Sequence, residues 1–85
     1  MRLTVLYFAR LREAVGTDRE VVDAPDGLST LGELRGWLAA RGEPWSSAFE
    51  QVRPIRMAQD HVLGDSATPI RAGAQVAFFP PVTGG

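Results

Sequence analysis

Thr30-Leu31-Gly32-Glu33-Leu34-Arg35-Gly36-Trp37-Leu38 reads as a helix that opens on a capping box. Thr30 takes the N-cap, and Glu33 follows three residues later, where its carboxylate reaches back to a free backbone amide. Leu31, Leu34, Trp37 and Leu38 recur at helical spacing and make one apolar stripe, with Trp37 expected in the core. Gly42 ends the run, which places the helix at about 30–41. Gly32 and Gly36 each weaken it by about 1 kcal/mol relative to alanine. Their four-residue spacing would admit close contact with a sheet. No other segment predicts a helix of this length. The fold therefore turns on how one helix covers the strands around it.

Upstream, Arg2-Leu3-Thr4-Val5-Leu6-Tyr7-Phe8-Ala9 is rich in β-branched and aromatic residues and predicts a strand. Leu3, Val5 and Tyr7 take one face; Leu6 and Phe8 take the other. A strand apolar on both faces is usually covered on both, and in so small a domain one cover can be a partner protein. Arg10–Val15 predicts one or two helical turns with Gly16 as C-terminal cap. Arg19–Asp23 predicts a second strand, closed by the turn signal Ala24-Pro25-Asp26-Gly27. Downstream of the helix, Ser46–Glu50 predicts no more than an irregular turn. Ile55–Leu63 predicts a strand or a pair of short strands, Pro69–Gly73 a turn, and Gln75–Pro80 the last strand. The order specifies an α+β fold, a mixed sheet with one main helix across one face. Phe78 and Phe79 are adjacent, so they point to opposite faces. One packs under the helix, and the other lies on the side that no helix covers.

At 85 residues the chain is one domain. It contains no cysteine, which excludes disulfides, thiolate metal sites and a cysteine nucleophile. Its single histidine, His61, cannot hold a metal unaided and is expected at a surface or strand edge. Nine basic residues, all arginine, stand against ten acids, for a net charge of −1. That balance leaves no electrostatic footprint for nucleic acid or an anionic membrane. The absence of a membrane span or signal-peptide pattern points to a cytoplasmic protein. No phosphate-binding glycine loop, zinc spacing or Ser-His-Asp set is present.

The remaining candidate for chemistry is the carboxyl end, Phe78-Phe79-Pro80-Pro81-Val82-Thr83-Gly84-Gly85. Two prolines hold the neck extended and remove two backbone donors. Gly84 and Gly85 lack Cβ atoms and fit a slot too narrow for other residues. The expected organisation is a folded domain over 1–81 and a flexible tail over 82–85. A carboxylate is inert toward amines and thiols until an ATP-using enzyme converts it to an acyl adenylate. Sulfur attack on that anhydride gives a thiocarboxylate, which carries sulfur without any cysteine.

The whole chain resembles the small-subunit family of molybdopterin synthase (the MoaD family), ubiquitin-like β-grasp sulfur carriers. The matching residues are Val5–Ala9, Leu11-Arg12-Glu13 and Gly16, then Thr30-Leu31, Glu33-Leu34 and, most specifically, Val76–Gly85. The resemblance implies a β-grasp fold and a protein that is not catalytic alone. It implies that Gly85 is adenylated by an enzyme of the ubiquitin-activating type and then thiocarboxylated by a sulfur donor protein. ATP is consumed by that enzyme, and this chain binds no cofactor or metal itself. The tail, with Gly84 at its tip, then enters the large subunit of a heterotetramer and gives sulfur to a cyclic pyranopterin precursor, forming the molybdopterin dithiolene. Partner contacts implied by position are Phe79, Pro80, Pro81, Val82 and Thr83, with Arg12 and Leu63 toward the activating enzyme. The sequence departs from the family pattern at Asp60, often asparagine, and at Ala72-Gly73-Ala74-Gln75, often acidic. The alternatives are a sulfur carrier for thiamine or cysteine synthesis, a protein modifier acting on lysines of other proteins, and an interaction domain without tail chemistry.

Overall fold

Strand β1 (Arg2–Tyr7) lies inside the sheet, paired on both edges. The computed structural model describes residues 1–81. Val82–Gly85, and with them the expected flexible tail, lie outside the described residues. Along the chain follow α1 (Ala9–Val15), β2 (Arg19–Asp23), α2 (Leu31–Ala39), α3 (Trp45–Gln51), β3 (Arg56–Gln59), β4 (Val62–Gly64) and β5 (Gln75–Phe79). The five strands form one sheet in the order β2-β1-β5-β3-β4. β1 and β5 run parallel, and the other neighbours are antiparallel. This is the mixed sheet expected of a β-grasp domain.

Local signals held where they were strongest. Thr30 caps α2, its Oγ1 accepting from the Glu33 amide at 3.2 Å, while Glu33 Oε1 accepts from the Ser29 amide at 2.6 Å. Gly16 ends α1 in the left-handed region at φ 89°, and its amide donates to the Arg12 carbonyl at 2.9 Å. Gly32 is required by a loop rather than by the sheet. A Cβ there would sit 2.8 Å from the Ser66 carbonyl oxygen, and the Gly32 amide donates to that oxygen at 3.0 Å. Nothing in the domain lies within 4 Å of a Cβ at Gly36.

Two expectations need correction. Residues 45–51 form a true helix, α3, not an irregular turn. Ser46 and Ser47 are poor helix formers, which hides it. Tertiary burial of Ala48 and Phe49 stabilises it, and the Glu43 carboxylate accepts from the Ser47 amide at 2.8 Å at its free end. One face of the sheet is therefore covered by three helices together, α2 being the longest. Trp37 packs at the rim of the core, only partly buried, rather than inside it. The second face of β1 carries no helix: Leu6 is half-buried and Phe8 stands 48% exposed, which leaves that cover to a partner.

The core lies between the sheet and the helices. Leu3, Val5 and Tyr7 of β1 and Val76 and Phe78 of β5 are fully buried against Leu11, Leu31, Leu34 and Leu38. Phe49 of α3 links the two central strands through edge-to-face contacts, 6.4 Å to Tyr7 and 5.5 Å to Phe78 between ring centres. Phe78→Ala is expected to destabilise the domain by about 3–5 kcal/mol, the range for deleting a buried phenyl ring. Urea unfolding followed by circular dichroism measures it.

Beside this core a polar cluster joins four elements. The Tyr7 hydroxyl, Trp45 Nε1 and Arg41 Nη2 all donate to the Glu20 carboxylate, at 2.7, 3.1 and 2.9 Å. Arg41 Nη1 is buried without a hydrogen-bond partner, and its guanidinium lies 3.9 Å above the Trp45 ring centre. Burial alone would raise the Glu20 carboxyl above its ordinary value. The donors from Arg41, Tyr7 and Trp45 outweigh it and hold the group low. Burial, then the Glu20 hydrogen bond, push the Tyr7 phenol far up. A lowered carboxyl stabilises the fold above its ordinary value of 4.5 and loses that contribution as pH falls through and below it. A raised phenol stabilises the fold below 10.0 and loses that contribution as pH rises beyond it. Urea midpoints measured across pH should therefore drop on both sides. Glu20→Gln should lower the midpoint at neutral pH and flatten the acid limb relative to wild type.

Candidate functional site: the uncovered sheet face

Side chains directly opposite each other on paired strands share a face. The pairings Leu6 with Arg19, Leu6 with Ala77, Ala77 with Ala58, and Ala58 with Leu63 therefore trace one row across all five strands. Val5, Val76 and Phe78 belong to the opposite, helix-covered parity, so the row Arg19–Leu6–Ala77–Ala58–Leu63 lies on the face without helices. Phe79 shares that face, paired with Arg56. Val21, 57% exposed, and Leu63, 61% exposed, extend it toward the two sheet edges.

At the centre of this face lies a groove of about 410 Å³. Leu6, Phe8, Ala58, Ala77, Phe79 and Pro80 supply its apolar walls, and His61 and Gln75 its polar ones. Two alanines opposite each other on β3 and β5 leave the floor low, while Phe8 and Phe79 rise as walls. None of the lining residues is acidic or arginine. The groove thus offers apolar area with no charge to desolvate, the composition of an interface centre rather than of a catalytic cleft.

The expected contact residues fall into two groups. Phe79 is half-buried on the open face, as anticipated, whereas Phe78 is the core residue. Pro80 is buried in the groove wall and Pro81 half-buried beyond it, so the chain leaves β5 directly from the groove. Without amide hydrogens the two prolines end the sheet pairing at this point. Leu63 shares the face, two strands out from Phe79. Arg12 does not join them. It lines a separate depression with Glu13, Gly16, Thr17 and Asp18 at the end of α1. Val82, Thr83, Gly84 and Gly85 lie outside the described residues. Sequence reasoning placed none of Ala58, Ala77 and His61 in the site, His61 being expected only at a surface or strand edge. Alanine carries no local signal, and these residues meet only through strand pairing.

A second depression, about 450 Å³, lies between α2 and α3 on the covered side, with Arg35, Glu50 and Arg53 at its rim. Among the described residues no group of three or more His, Asp or Glu side chains is placed to hold a metal ion. No helix among them is long and apolar enough to cross a membrane.

The ThiS family model matches residues 5–85. The molybdopterin synthase sulfur carrier subunit of Haemophilus influenzae is 36% identical over 83 residues, covering 98% of this chain and 99% of that protein. That of Escherichia coli is 41% identical over 83 residues, with the same coverage. Among solved structures, SAMP1 from Haloferax volcanii superposes with TM-score 0.79 at 25% identity, over 100% of both chains. A complex of subunits 1 and 2 of molybdopterin-converting factor from Helicobacter pylori contains a chain similar at TM-score 0.66 and 26% identity, again over 100% of both chains.

Proposed function

The chain belongs to the ThiS family, and from that membership we propose that it is the sulfur carrier subunit of molybdopterin synthase. The observation that carries this reading is that the apolar groove extends to Pro80, where the described chain leaves β5 toward the carboxyl end. A partner seated over Phe8 and Phe79 also meets the chain where it leaves β5 at Pro80-Pro81, just before the last four residues of the sequence. The named relatives support the same partner class. One similar chain was solved in complex with a second subunit of molybdopterin-converting factor.

The tail chemistry has two stages. In the first, the Gly85 carboxylate attacks the α-phosphate of ATP on an activating enzyme, pyrophosphate leaves, and hydrosulfide-level sulfur from the donor displaces AMP to leave the thiocarboxylate. In the second, the thiocarboxylate sulfur attacks an electrophilic carbon of the pyranopterin precursor, and the C–S bond forms as that carbon's bond to oxygen breaks, the oxygen leaving with a proton. Water then cleaves the acyl–sulfur bond, leaving sulfur on the precursor and the carboxylate on Gly85. In this reading the reacting groups come from the tail and the partners, not from the folded domain. Its work is positioning, which converts a bimolecular encounter of sulfur with precursor into a reaction between held groups. Arg12 and Leu63 are proposed contacts for the activating enzyme. They are not adjacent on this surface, so a partner using both spans the end of α1 and the open face.

The test is intact-mass measurement after incubation with ATP, a sulfur source and an activating enzyme, followed by addition of large subunit and precursor. The expected result is a mass gain equal to the difference between sulfur and oxygen, lost again as precursor is consumed. An unchanged mass, with no binding to the large subunit, would return the chain to the plain interaction-domain alternative.

A further inference from the structure

The two-residue turn between β3 and β4 carries, at its second position, a residue that its backbone disfavours. Gln59 pairs with Val62, and the turn residues Asp60 and His61 both have positive φ, 48° and 70°. Turns of this kind favour Asn or Asp followed by Gly, because only a residue without Cβ is unstrained at the second position. Asp60 has a reason within the domain. Its carboxylate accepts from the Gln75 amide at 2.9 Å and from Arg71 at 2.7 Å, tying the turn to β5. His61 has none. Among the described residues its imidazole makes no hydrogen bond or ion pair, and it is exposed. It nevertheless lines the open-face groove with Leu6, Phe8, Ala58 and Phe79.

A strained backbone position whose side chain does nothing for its own fold marks a candidate for work outside it. We infer that His61 is a partner-contact and specificity residue. Its ring closes the groove rim beside Phe79, and one ring N–H donates to an acceptor on the docked large subunit. Imidazole suits that position, since it has a flat body that covers apolar surface and an N–H at its edge. This inference rests on the docking of the large subunit on the open face.

The test uses full-length protein and purified large subunit, with affinity from calorimetry and melting temperature from the same samples. His61→Gly should weaken binding roughly tenfold, the loss expected for a well-placed contact. Its melting temperature should be unchanged or raised, because glycine relieves the positive φ. His61→Asn tolerates the same backbone region and keeps an N–H donor, so it should recover part of the affinity. Phe79→Ala serves as control for the docking itself. Wild-type affinity in His61→Gly beside weakened Phe79→Ala overturns the role of His61 and leaves the docking face standing. A fall in both affinity and melting temperature makes His61 part of the scaffold and also overturns it. An asparagine variant no tighter than glycine removes the hydrogen bond. Wild-type affinity in Phe79→Ala overturns the docking face and this inference together.

Discussion

Deleting Gly85 leaves the domain folded and abolishes sulfur transfer. The described core is complete by β5 and the buried Pro80, and a terminal glycine has no side chain to bury. Melting temperature and urea midpoint should match wild type. Activity should not survive, for a geometric reason. The reacting carbon would be carried by Gly84, one residue short, about 3.3–3.6 Å of extended chain. A misplacement of even about 1 Å can cost a hundredfold in rate. The activating enzyme would meet the same shortfall in its own slot. A bulky side chain at position 84 should act similarly, by exclusion from a narrow channel rather than by lost reach. The measurement is precursor conversion with purified large subunit and enzymatically sulfurated carrier, together with the mass of the carrier after activation. Turnover at the wild-type rate by the deletion variant would take the tail out of the mechanism.

Phe79→Ala weakens binding to the large subunit by about 2–4 kcal/mol, roughly 30- to 1,000-fold, as for an aromatic anchor at the centre of an interface. Phe79 stands in a groove with Leu6 and Phe8 as further apolar walls and two alanines as floor, so truncating it removes one of the two phenyl rings that a partner can grip there. Its neighbour Phe78 provides the contrast. Phe78 is fully buried between the sheet and α3, and its loss is felt as unfolding. Phe79 is half-buried on the open face, and its loss should cost the isolated domain about 1 kcal/mol. Calorimetric titration gives the affinity, and urea unfolding of the same samples gives the stability. If Phe79→Ala lost stability on the scale of Phe78→Ala, the phenyl ring would be a core element and the docking face would need another anchor.

The departures from family pattern have different standing once the fold is known. Asp60 is not a loose substitution. Its carboxylate accepts the Gln75 amide and pairs with Arg71, which binds the β3–β4 turn to the start of β5. Gly73 turns the chain into β5 at φ 80°, and its amide donates to the Arg2 carbonyl at 2.9 Å. The absence of acidic residues around it leaves that turn geometry intact.

From the sequence alone came whatever depends on residues a few positions apart. The β1 alternation, the Gly16 cap, the Pro25–Gly27 turn, the Thr30–Glu33 capping box and the opposed faces of Phe78 and Phe79 are all local. Each is set by short-range hydrogen bonding or by the period of the backbone, and such terms are the same in any fold. The chemistry of a Gly-Gly end is local in the same sense. The tertiary structure alone decided everything that rests on pairing distant segments. Leu6 meets Ala77 across 71 positions of sequence, and Ala77 then meets Ala58, only because β5 inserts between β1 and β3. That insertion assembles the groove, brings His61 to its rim and leaves Arg12 outside it. The same holds for α3, whose weak local preference is overridden by the burial of Phe49, and for Glu20, which gains Tyr7, Arg41 and Trp45 from three other segments. Alanines and serines carry little local signal, so their roles are set by what the fold packs against them.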